Sequence, residues 1–230
     1  MFVTENLKNV EERIQNACLR AGRAREEVTL ICVTKTKPVE MLQEAYDAGQ
    51  REFGENKVQE IVRKVPELPG DIRWHMIGHL QRNKVKQLMG RAVMIHSVDK
   101  LSLAETISNE AVKQGIVMPI LIEVNVAQEE SKFGIAQEDT RELVRRISHL
   151  PGVCVKGLMT IAPFTEDPES NRPYFRRLRE LSVDIKQESL DNVFMDVLSM
   201  GMTGDFEVAI EEGATHIRVG TAIFGERIYS

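Results

Sequence analysis

The sequence predicts an α/β fold, a single (β/α)8 barrel of the TIM type with an extra N-terminal helix. Three observations carry this. Short apolar runs rich in β-branched residues alternate with helical stretches, the pattern of parallel β/α units. Eight such runs follow one another, each trailed by a helix or by the closing segment. The turn after the first run, Thr34-Lys35-Thr36-Lys37-Pro38, holds no glycine. The alternative, an open doubly wound sheet, usually carries a glycine-rich phosphate turn there.

Along the chain, Thr4 to Gly22 reads as a helix. Leu7, Val10, Ile14, Ala17 and Ala21 recur at three- and four-residue steps, and Gly22 can supply a left-handed cap. Val28–Val33 is the first strand, and Pro38 ends it, because the residue before a proline is held extended. A weak strand at Glu52-Phe53-Gly54 comes next, then Ile72–Ile77, Ala92–Ile95, Pro119–Val126, Val153–Ile161, Val193–Leu198 and His216–Val219. The intervening helices are Val39–Ala48, Asn56–Val65, Arg82–Met89, Lys100–Gln114, Gln137–His149, Pro168–Glu188 and Phe206–Glu212. Asp99 is placed to cap the helix from Lys100, and Asp167 the one from Pro168. With no linker and no repeat beyond the unit itself, residues 1–230 are expected to form one domain.

Composition narrows the function. Thirty Lys and Arg against 35 Asp and Glu give a net charge of −5, no electrostatic reason to expect nucleic acid or an anionic membrane as partner. No apolar run approaches the ~18–20 residues of a membrane span, and the N-terminus lacks a basic stretch followed by an apolar one. Cys18, Cys32 and Cys154 are odd in number and widely spaced, with neither a CxxC nor a zinc pattern, which suits a reducing cytoplasm. With aromatics at 5%, the core must be aliphatic.

In a barrel the C-terminal strand ends face the active-site mouth. Side chains alternate along a strand, so Thr29, Ile31, Val33 and Lys35 share a face, and Lys35 would enter the mouth. A partly desolvated lysine favours its neutral amine, which attacks an aldehyde to form a Schiff base. The plainer reading is a lysine paired with a carboxylate, and Lys37 is the competing amine. Ser199, Gly201, Thr203 and Gly204 after the seventh run, with Gly220 and Thr221 after the eighth, resemble the phosphate site that barrels build there; otherwise these glycines only make tight turns. Arg218 lies between Ile217 and Val219 in a buried run, so it needs a fixed partner, a salt bridge or a ligand. His75 and His79 are four apart, but they fall on a strand broken by Gly78 and lack the glutamate of HExxH, so no metal site is expected. His79 is read as a mouth residue. Arg82, Lys84 and Lys86, like Arg172, Arg176, Arg177 and Arg179, are read as solvated helix faces.

Assembled, these segments resemble a known family. Val33-Thr-Lys35-Thr-Lys-Pro38, Phe53-Gly-Glu-Asn56 with Gln59-Glu60, His75-Met-Ile-Gly-His79-Leu-Gln-Arg-Asn-Lys84 and Lys156-Gly-Leu-Met159 look like the pyridoxal phosphate homeostasis proteins. So do Ser199-Met-Gly-Met202 with Asp205-Phe206 and His216-Ile-Arg218-Val-Gly220-Thr-Ala-Ile-Phe-Gly225. The resemblance covers essentially the whole chain. It implies a barrel similar to the N-terminal domain of alanine racemase, holding pyridoxal 5′-phosphate (PLP) as an internal aldimine on Lys35. Asn56, His79 and Met159 would line the cofactor ring. Ser199, Gly201, Gly220 and Thr221 would bind the phosphate, and Arg218 would face the pyridine nitrogen. It further implies a cytoplasmic monomer in PLP homeostasis, storing and delivering cofactor to apo-enzymes without robust catalysis. A racemase-like PLP enzyme is the alternative, and a Schiff-base aldolase, which needs lysine and phosphate site but no aromatic cofactor, is a third. A racemase needs a second base, and Tyr46, Tyr174 and Tyr229 are poorly placed for it.

Overall fold

A computed structural model describes residues 2–128 and 133–226. Eight parallel strands close into a barrel in sequence order: β1 (Thr29–Val33), β2 (Glu52–Glu55), β3 (Arg73–Met76), β4 (Ala92–Val98), β5 (Met118–Glu123), β6 (Val153–Met159), β7 (Val193–Met202) and β8 (His216–Val219). β1 pairs with β8, Ile31 opposite Arg218, which completes the (β/α)8 barrel.

The helices are α1 (Phe2–Arg20), α2 (Val39–Asp47), α3 (Val58–Lys64), α4 (Val85–Leu88), α5 (Leu101–Lys113), α6 (Gln137–Ser148), α7 (Arg172–Gln187), α8 (Phe206–Glu211) and α9 (Thr221–Phe224). The extra helix α1 buries Val3, Leu7, Val10, Ile14 and Ala17 against α2, α8 and α9. It ends as expected, with Gly22 at φ 64° and the Arg23 N–H donating to Cys18 O.

Alternation sorts each strand's side chains. Leu30, Cys32, Phe53, Trp74, Ile120, Ile122, Ile217 and Val219 join the main core between sheet and helices. Inside the barrel lies a smaller cluster of Leu121, Met159 and Val197, with Met94 against it. Polar residues share the interior with it: His75, His96, Ser199 and Arg218 are all buried, beside the apolar Ile31. None of the helices among the described residues is long and apolar enough to cross a membrane. Cys18, Cys32 and Cys154 are unpaired thiols.

Several boundaries differ from expectation in ways that shape the barrel mouth. α3 begins at Val58, not Asn56, which leaves Asn56 at the end of β2. β4 continues past Ile95 to Val98 and brings His96 inside. β7 runs on to Met202 after a register shift against β8. The stretch from Arg82 splits into a 3-10 turn, Arg82–Lys84, and the short α4. Asp167 caps as expected, accepting from Glu169 N at 3.1 Å. Asp99 does not: Lys100 occupies the cap position of α5, so Asp99 sits one residue too early. Its Oδ1 is buried with no hydrogen-bond partner among the described residues.

Candidate functional site

The site begins where β1 stops. Val33 is the last strand residue, and Thr34 to Lys37 form a turn closed by Lys37 N donating to Thr34 O at 3.1 Å. Lys35 therefore lies in this turn, two residues past the end of the strand, where the alternation extended the strand to it. Buried Thr34 is gripped from beneath. Its hydroxyl donates to Glu55 Oε1 at 2.6 Å, while its carbonyl accepts from Lys64 Nζ at 2.9 Å. Lys64 and Glu55 are themselves a fully buried ion pair at 2.6 Å. Burial pushes the Glu55 carboxyl above its usual range, against the pull of Lys64. Lys37 Nζ donates to the carbonyls of Phe224, Gly225 and Glu226 at 2.7–2.9 Å, tying this turn to the end of α9.

Lys35, Asn56, Ile77, Arg218, Gly220 and Thr221 line a cavity of about 440 Å³ at the C-terminal mouth, within the ~300–1,000 Å³ range of small-molecule sites. Thr203, Gly204 and Asp205 line it after β7, and Ile161, Pro163 and Phe164 after β6. The loops are cross-tied. Asn171 Nδ2 donates to Asp205 Oδ2 (2.8 Å) and Pro163 O (3.0 Å), and Asp205 Oδ1 accepts from Met202 N (2.7 Å). Phe164 is 97% exposed, an apolar side chain in solvent beside the opening.

Arg218 is buried. Its Nη1 donates to Ser199 Oγ at 2.6 Å and its Nη2 to Thr160 O at 2.8 Å. Burial lowers its pKa to about 10, partly offset by Asp205 and Glu123, so it stays charged at neutral pH. Glu123, inward at the end of β5, is pushed up to about 7 by burial and by Asp99, with Arg218 opposing. His216 is held down to about 4, mainly by burial.

Five of the nine residues singled out from sequence thus share one cavity: Lys35, Asn56, Arg218, Gly220 and Thr221. Met159 is fully buried in the inner apolar cluster, and Ser199 reaches the cavity wall through Arg218. Gly201, at φ +89°, lies where α8 presses on β7; a Cβ there would stand 2.6 Å from Ala209 Cβ. At Gly220 a Cβ would meet Val33 O at 3.2 Å, so the cradle packs directly on the end of β1. His79 is exposed and stacks on Phe133 at 4.1 Å, beside a separate surface groove lined by Gln81, Arg82, Asn83 and Lys100. Sequence reading passed over Lys64, Glu55, Asn171 and His96. The apolar spacing Val58, Ile61, Lys64 is the one signal that could have placed Lys64 on a buried face.

The family model for the alanine racemase N-terminal domain matches residues 6–228. A pyridoxal phosphate homeostasis protein of Aquifex aeolicus is 51% identical over 230 residues, all of both chains. The chain belongs to the pyridoxal phosphate homeostasis protein family. Among solved structures, an unknown protein from Bifidobacterium adolescentis superimposes with a TM-score of 0.91 at 38% identity, over 96% of this chain and 94% of its own. PipY of Synechococcus elongatus, solved with PLP bound, has a TM-score of 0.83 at 34% identity, covering 97% of this chain and 100% of its own.

Proposed function

We propose that this protein binds pyridoxal 5′-phosphate in the mouth cavity and serves its homeostasis, storing and delivering the cofactor without efficient turnover of amino acids. One observation carries the reading: an amine (Lys35), a buried guanidinium (Arg218) and two glycine-containing turns (Thr203–Gly204, Gly220–Thr221) converge on one cavity of suitable size. The buried Asn56 Oδ1, which has no partner among the described residues, adds an acceptor on the same wall. PLP needs these kinds of contact, and PipY has been solved with PLP bound.

When bound, PLP supplies an electrophilic aldehyde and a ring that withdraws electrons. Lys35 would hold the aldehyde carbon covalently. The Gly220–Thr221 and Thr203–Gly204 turns would receive the phosphate through their backbone N–H groups. Arg218 would donate to the ring nitrogen; a guanidinium does not readily give up a proton, so the ring would remain a weak electron sink. Racemisation requires a base on each face of the bound amino acid. Among the described residues no tyrosine, cysteine or histidine lines the cavity. Tyr46 instead donates to Asp71 at 2.8 Å, and Asp205 is taken up by Asn171 and Met202 N. Tyr229 lies outside the described residues.

Absorbance spectroscopy tests this. The purified protein incubated with PLP is expected to gain a visible band and to pass cofactor to an apo-enzyme. In deuterium oxide it should exchange the alanine α-proton far more slowly than ~1 s⁻¹, the low end of ordinary turnover. Exchange at that rate would favour the racemase, and no band would sink PLP binding.

A further inference from the structure

Polar residues inside the barrel form an unbroken series from one rim to the other. Arg218 Nη1 lies 2.6 Å from Ser199 Oγ, and Ser199 Oγ lies 3.0 Å from His96 Nδ1. His96 Nε2 lies 2.9 Å from His75 Nδ1, and His75 Nε2 lies 2.6 Å from Glu52 Oε2. Arg218 is near the C-terminal end of β8, at the cavity; Glu52 opens β2, at the opposite rim, where Arg73 Nε donates to its Oε1 at 2.6 Å. His75, His96, Ser199 and Arg218 are each at most 4% exposed, so water does not compete for the bonds among them; Glu52, at the rim, is half-buried.

We propose that Glu52, His75, His96 and Ser199 act as a one-way hydrogen-bond chain that positions Arg218 against the ligand. This rests on the reading that the cavity holds PLP. The direction follows from counting protons. A guanidinium only donates, so Ser199 Oγ accepts from Arg218 and passes its own proton to His96 Nδ1. His96 then carries its proton on Nε2 and donates to His75 Nδ1. His75 carries its proton on Nε2 and donates to the Glu52 carboxylate. In the reverse direction Ser199 would receive two donors, and its hydroxyl proton would have no acceptor among the described residues. Burial, with the Arg218 guanidinium adding to it, holds the His96 pKa well below its usual value, in keeping with a neutral ring. The other charged or titratable groups facing the chain are His216, whose ring lies 6.1 Å from His75 and 6.3 Å from His96, Arg73 on Glu52, and Asp205 and Glu123 around Arg218.

A buried guanidinium with nothing to donate to would swing or draw in water. With Ser199 and Thr160 O fixing two of its arms, its remaining edge is held at the cavity wall. Ser199 is thus a positioning residue, and so is Glu52 on the far side of the molecule. A bond that anchors a chain of this kind is cooperative with the others, so its loss is felt at the end of the chain.

Nitrogen NMR of the ligand-free protein reads the direction. Nδ1 of both His75 and His96 should be unprotonated and both Nε2 protonated; a protonated Nδ1 on either overturns the proposal. PLP binding reads the consequence. Glu52→Ala, at the rim, should weaken binding by roughly 10- to 150-fold, the range for one hydrogen bond to a charged group. It should also move the pH midpoint of the bound cofactor's visible band. Glu52→Gln, whose amide oxygen still accepts from His75, should restore both. Wild-type affinity with an unmoved midpoint in Glu52→Ala would overturn the positioning role. A wild-type protein that takes up no PLP would sink the binding reading, while the histidine tautomers, read without ligand, still decide the direction.

Discussion

Lys35 and Lys37 are two residues apart and are bound to different tasks. The Lys37 ammonium is held by three backbone carbonyls at and just after the end of α9, which gives it a structural task. Lys35 sits on the cavity wall in the turn that Lys37 closes. Borohydride reduction of the PLP-loaded protein followed by peptide mapping is expected to place the pyridoxyl group on Lys35, and Lys35→Ala to abolish the visible band. A pyridoxyl group on Lys37 would overturn the assignment. The place of Lys35 was legible in the alternation Thr29, Ile31, Val33, even though the strand ends early and a turn finishes the approach. Arg218 was legible as a buried cation in an apolar run. Its partner was not: Ser199 and His96 lie 19 and 103 residues apart from the groups they bond, and no local spacing encodes that closure.

At the scale of elements, the turn after β1 is only as well placed as the pair beneath it. Lys64, on α3, holds both Glu55, on β2, and the carbonyl of Thr34, next to Lys35. Removing one partner of a buried pair leaves an uncompensated charge, at a cost of about 3–5 kcal/mol. Lys64→Met is therefore expected to destabilise the protein by about that much at pH 8 in urea denaturation. At pH 5 the loss should shrink, because Glu55 already has a raised pKa and takes up a proton more readily once its partner is gone. The same variant should load less PLP, since Thr34 loses an anchor. An equal loss at both pH values would show that the pair is not what the substitution breaks. Element identities were readable from periodicity alone. Their ends were not, because β4 and β7 continue only where the barrel offers a neighbouring strand to pair with. The two-position shift of the helix start from Asn56 to Val58 decides whether Asn56 belongs to a helix or to the cavity, and that depends on how β2 meets β3.

Over the whole molecule, closing the barrel forces inward residues of all eight strands together, and several of these are ionisable. Their protons set how stability depends on pH. His96 and His216 have folded pKa values below those of the unfolded chain, so they contribute stability that is lost as pH falls from about 6.5 towards 4. Glu123 has the opposite sign. Its folded pKa, about 7, lies above the unfolded value, so the fold keeps a proton that the unfolded chain releases. Stability from that proton is complete below about 4.5 and is lost as pH rises to about 7. Between these limits the unfolded chain binds two more protons at the histidines and one fewer at Glu123. The balance is one proton, a fall of ~1.4 kcal/mol per pH unit on acidification. Glu123→Gln removes one side of this balance without removing the side chain's shape. It should stabilise the protein at pH 8 by up to ~3 kcal/mol, the free energy of moving a carboxyl from its usual pKa to about 7. At pH 5, where Glu123 is protonated in the fold, the gain should nearly vanish. Urea denaturation of both proteins at pH 5 and pH 8 measures the difference, and groups that titrate alike in the two cancel from it. A gain independent of pH, or a variant less stable at pH 8, would mean that Glu123 is ionised in the folded barrel and that Arg218, rather than burial, governs it.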